Sequence, residues 1–147
     1  MIDYTEFLIV PPLLMASVED IKTKEVRNIY AVIILLIKVI LIIIKEDSIV
    51  FLVDSVVGAL ISAFIILFSF LLKRGGIGKA DIYILISLGF YMGIKLFLRA
   101  LLCVSIVSLT YSIFLLATKK AKIDTKLPFL PFILIGTVIS ICMEAIW

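Results

Sequence analysis

The sequence predicts an all-α, polytopic membrane protein with about six transmembrane helices. Three observations predict it. First, 64% of the 147 residues are hydrophobic and only 17% are charged. An ordinary soluble domain is roughly 45–50% apolar and about 25% charged, and a soluble fold this small cannot hide so much apolar surface. Second, the mean hydropathy is +1.32. Third, the apolar residues form continuous runs, as in FIILFSFLL at 64–72, whereas barrel strands alternate apolar with polar. A cytosolic enzyme, a disordered tail and a secreted disulfide scaffold are thereby excluded.

The first span is expected from about Tyr4 to Glu19, with Pro11 and Pro12 kinking or breaking it. Asp3 and Glu6 precede or open it, no basic region leads it, and no Ala-x-Ala site follows. It therefore reads as a retained span rather than a signal peptide. A polar segment covers 19–28. The second span runs from about Ile29 to Ile44, interrupted by Lys38, and Lys45-Glu46-Asp47 makes a turn. The third covers about Ile49 to Leu72, with Asp54 near its start. The glycine-rich basic loop KRGGIGKAD, 73–81, leads to a fourth span at about Ile82–Leu98. Arg99 marks a tight connection to a fifth at about Ala100–Ala117. The hydrophilic segment 118–126 precedes the last span, 127–147. No linker divides the chain, so residues 1–147 form a single membrane-embedded domain.

Charge placement sets the orientation. Ten of the fourteen Lys and Arg residues lie in the loops after the first, third and fifth spans. The positive-inside rule puts those loops in the cytoplasm and both termini outside. Cys103 and Cys142 sit in separate apolar runs and read as buried free thiols.

This topology brings two carboxylates to one level. Asp20 closes the first span and Asp81 opens the fourth, both on the cytoplasmic side. Two adjacent carboxylates form a general acid–base pair, one ionised and activating water, the other protonated and donating to a carbonyl oxygen. The chain has no histidine, and this chemistry needs none, nor a metal or any cofactor. The bland readings are a helix cap at Asp81 and a solvated charge at Asp20 beside Lys22 and Lys24. Gly75, Gly76 and Gly78 allow unusual dihedrals and close approach to a ligand. A phosphate loop is discounted, because Lys79 is followed by Ala80 rather than Ser or Thr. Lys38 and Asp54 lie at matching depths of roughly 7–9 Å from the outer side, which predicts a structural ion pair. The competing readings for Lys38 are snorkelling and a pairing with Glu144.

Three separated segments resemble the type IV prepilin and preflagellin peptidase family, membrane aspartic peptidases of the GxGD type. In DIKTKEVRN, 20–28, Asp20, Val26 and Asn28 match, with Arg27 in place of a proline. In the stretch from Gly76 to Gly89, Gly76, Gly78 and Asp81 match; Ala80 replaces a glycine and Tyr83 a lysine. In LPFLPFILIG, 127–136, Pro128, Phe129, Pro131 and Phe132 match the start of the family's last helix. The resemblance runs from about residue 17 to the C-terminus.

The resemblance implies an aspartic endopeptidase with Asp20 and Asp81 as its catalytic dyad. The 75–80 loop would shape the active site, and the Asn28 and Pro128–Phe132 motifs would support it. The implied partner is a prepilin-like or preflagellin-like precursor, whose short basic leader is removed at the cytoplasmic face of the plasma membrane. Membrane lipid is the other expected partner, and nucleic acid is not one. No cysteine-containing cytoplasmic insertion is present, so the short form is expected to lack methyltransferase activity. The alternative is a small non-enzymatic transporter or assembly subunit using Lys38, Asp54 and Glu144.

Overall fold

Apolar runs of this kind become helices because a helix satisfies its own backbone polar groups. The computed structural model describes residues 4–44, 48–72, 78–118 and 128–146. Among these residues every regular element is helical. A 3-10 segment, Tyr4–Ile9, leads into α1, Val10–Thr23; α2 is Ile29–Ile44, α3 Ser48–Leu72, α4 Lys79–Ala117 and α5 Leu130–Ile146.

Pro11 and Pro12 stand where the expected first span divides into the 3-10 segment and α1. They lie in the first turn of α1, where a missing N–H costs no helical hydrogen bond. Lys24 ends the helix in a left-handed conformation (φ 54°), and its N–H donates to the Asp20 carbonyl at 3.0 Å.

In α4 the structure corrects the expectation. The expected connection at Arg99 is helical, and the break falls at Gly93, with φ 70° and ψ −178°. That combination is essentially restricted to glycine. Arg99 stays on the helix surface and pairs with Glu144 of α5. The break turns α4 back. Tyr111 packs on Phe132 of α5, ring centroids 5.3 Å apart. The Leu130 N–H, two residues earlier, binds Asp20, whose charge acts on Asp81. A straight helix would hold Asp81 and Tyr111 about 45 Å apart.

The core forms around α4, which packs on α2, α3 and α5, while α1 packs on α5. Ile9, Leu13 and Ala16 line the buried side of the first segment, and Ile84, Leu88, Tyr91, Phe97 and Ala100 supply the centre. Two contacts depend on the absence of a side chain. A Cβ on Gly89 of α4 would stand 2.5 Å from the Gly58 carbonyl oxygen of α3, and one on Gly136 of α5 would stand 2.7 Å from the Val104 nitrogen. Small residues let membrane helices approach backbone to backbone in this way.

Outward, the surface is apolar. Ile43, Phe64 and Leu71 are 76%, 68% and 72% exposed. Two helical segments, Ile49–Leu71 and Lys79–Leu115, are long and apolar enough to cross a membrane, and α2 and α5 are shorter apolar helices. Cys142 is exposed on this surface rather than buried, and Cys103 is half-buried.

Candidate active site

Asp20 lies in the last turn of α1 and is only 7% exposed. Its Oδ2 accepts the backbone N–H of Leu130 at 3.0 Å. Leu130 is the first residue of α5, so a carboxylate from one helix satisfies an orphan donor at the start of another. The Pro-Phe-Leu-Pro-Phe segment makes this start. The Phe129 carbonyl accepts from Phe132 N at 3.1 Å and Ile133 N at 3.3 Å. Pro131, second in the helix, has no donor to strand. Pro128 and Phe129 thus set where the N–H that meets Asp20 is placed.

Asp81 occupies the third position of α4, after Lys79 and Ala80. Its carboxylate stands beside Gly78 in the first turn, where the helix dipole favours a negative charge. Gly78 also begins the helical ladder, its carbonyl accepting from Ile82 N at 3.2 Å. A Cβ on Gly78 would come within 3.0 Å of Asp81 Oδ2. The value of Gly78 here is room beside the carboxylate. The Asp20 charge acts directly on the Asp81 carboxyl, which places the two in one electrostatic site. Gly75 and Gly76 lie outside the described residues.

The segment after Asp20 is fastened to α1. Thr23 Oγ1 donates to the Glu19 carbonyl at 2.9 Å, and Arg27 Nε meets Glu19 Oε1 at 2.9 Å. Arg27 Nη2 also reaches the Tyr30 hydroxyl at 3.4 Å. Asn28 starts α2 through its carbonyl, which accepts from Val32 N at 3.3 Å.

The chain matches the model of the type IV leader peptidase family over residues 7–117. It belongs to that family. The matched span contains both aspartates and ends before Pro128. This leader-peptidase chain matches no curated protein and no solved structure significantly. Its family and its apolar helices identify a membrane peptidase. Among the described residues no group of three or more His, Cys, Asp or Glu side chains is disposed to hold a metal ion.

Lys38 and Asp54 have different neighbourhoods in this family member. Asp54 Oδ1 accepts the Ile94 N–H at 3.3 Å, a donor released by the break at Gly93. Lys38 is buried, its Nζ 5.4 Å from the Phe51 ring and 5.5 Å from the Tyr91 ring. It lines a small cavity with Thr5 and Glu6, and the Tyr91 hydroxyl donates to the Thr5 carbonyl at 2.5 Å. The sequence did not single out Tyr91, for which a tyrosine inside an apolar run was the one signal.

Proposed function

We propose that the chain is an intramembrane aspartic endopeptidase that removes the short basic leader from prepilin-like or preflagellin-like precursors. The observation that carries this is the convergence of Asp20 from α1 and Asp81 from α4 on one electrostatic site. Asp20 has a main-chain donor on one side, the Leu130 N–H, and Asp81 stands in the first turn of α4 beside Gly78. The remaining oxygens are available to a water molecule. One carboxylate takes a proton from that water as it attacks the scissile carbonyl, and the protonated partner donates to the carbonyl oxygen. Collapse of the tetrahedral intermediate then returns a proton to the leaving amine.

The two halves of α4 serve in this reading as the fourth and fifth of about six spans. The 19–28 and 73–81 segments then face the cytoplasm, as does the dyad, and both termini lie outside. The transport alternative draws less support. Glu144 is engaged by Arg99 and Asp54 by the Ile94 N–H, each within its own helix contact.

The test is a membrane cleavage assay. The chain is co-expressed with a panel of prepilin and preflagellin precursors and leader loss is read on a gel. Wild type is expected to cleave, whereas Asp20→Asn and Asp81→Asn each lose about a hundred- to ten-thousand-fold while remaining inserted in the membrane. Cleavage at the normal rate by either variant sinks the dyad.

A further inference from the structure

Two close-packed helix pairs meet at the break in α4. The first pair is α3 with the initial half of α4, residues 79–92. Gly58 and Gly89 bring these backbones together, and a Cβ on Gly89 would also stand 2.8 Å from Ser62 Oγ. The second pair is the later half of α4, 94–117, with α5. Gly136 packs on Val104, and Ser140 Oγ donates to the Leu96 carbonyl at 3.2 Å. Asp81 belongs to the first pair. Asp20 is bonded to the second, through Leu130 N–H.

One residue, Gly93, joins the pairs along α4. At its backbone angles the helical hydrogen-bond ladder is interrupted, so the ladder does not set the angle between the halves. Asp54 bridges the gap. It stands on α3, in the first pair, yet its Oδ1 accepts the Ile94 N–H of the second. Its Oδ2 fills the space beside Gly93 that any Cβ would need. An acidic side chain inside an apolar helix is costly and asks for a role.

We propose that Asp54 is a positioning residue that fixes the angle at Gly93 and through it the separation of Asp81 from Asp20. The proposal rests on the dyad reading above. Asp81 lies twelve residues from Gly93, roughly 18 Å along the helix. A change of about 10° at the break therefore moves it by about 3 Å, and a displacement near 1 Å can cost a hundred-fold in rate.

The experiment uses Asp54→Ala, which removes the acceptor, Asp54→Asn, which keeps one, and Asp54→Glu, which keeps the charge but displaces it. Spin labels at Lys22→Cys on α1 and Tyr83→Cys on α4, both exposed sites, report the distance between the two catalytic helices. Cys103→Ala and Cys142→Ala supply the background. Cleavage of the precursor processed by wild type gives kcat and KM. Asp54→Ala is expected to lower kcat at least ten-fold, leave KM within about two-fold, and broaden or shift the label distance. Asp54→Asn should restore both readouts, and Asp54→Glu should shift the distance and lower kcat. If Asp54→Ala fails to accumulate, the Asn and Glu variants carry the same contrast. An unchanged distance in both the Ala and Glu variants overturns the proposal, as does an Asn variant no better than Ala. The distance requires no turnover, so its outcome is separate from that of the dyad mutants.

Discussion

Asp20 is held by a main-chain donor, the Leu130 N–H, and this separates its structural from its chemical role. Replacing Asp20 with Asn removes the acid–base group but keeps an oxygen for the Leu130 N–H. Replacing it with Ala leaves that N–H, on a residue with no exposed surface, without its acceptor. An unsatisfied buried donor costs about 1–3 kcal/mol. Both variants are expected to lose activity, and Asp20→Ala should also melt below Asp20→Asn in detergent. Equal melting temperatures would mean that the bond to Leu130 carries no net stability. Gly78→Ala tests the space beside Asp81. The added Cβ displaces the carboxylate oxygen, so cleavage should fall by about ten-fold. By contrast, Arg99 and Glu144 form an ion pair on the molecule's surface, 37% and 59% exposed. Arg99→Ala should cost less than about 1 kcal/mol.

Among the elements, α2, α3 and α5 were legible in the sequence because each is a continuous apolar run bounded by charges or prolines. The expected Ile29–Ile44 is the observed α2, and the expected third span differs from α3 by one residue. The break in α4 was not legible. Hydropathy marks a charge as a boundary, but Arg99 lies on a helix surface where its guanidinium finds Glu144. Gly93, in an apolar run, carries no hydropathy signal; its importance lies in a backbone angle and in the approach of Asp54. The Gly58–Gly89 contact has a prediction of its own. A Cβ on Gly58 meets the Gly89 carbonyl and forces α3 away from α4. Gly58→Ala should therefore destabilise by roughly 1–3 kcal/mol, read from denaturation in detergent. An unchanged midpoint would show that the two helices separate without loss.

For the whole molecule, the site is assembled from distant stretches of chain. Asp20 and Leu130 are 110 residues apart and touch. The carboxylate residues were readable as candidates because the topology put them at one level; the contribution of α5 was readable only as a motif, without its reason. Deleting residues from Pro128 onward is expected to abolish cleavage, although both aspartates remain and the family match ends at Ala117. Retained cleavage by a membrane-inserted truncation would show that Asp20 needs no support from the last helix.

The Leu130 donor has an evolutionary consequence. An amide hydrogen is supplied by any residue except proline, so the side chain at that position can drift while the bond to Asp20 persists. Selection acts on where the helix begins, not on which amino acid begins it. Divergent descendants can therefore keep this anchor while losing every trace of it from a comparison of side chains. Among such relatives the anchor is better sought in the first turn of the last helix than in a shared residue.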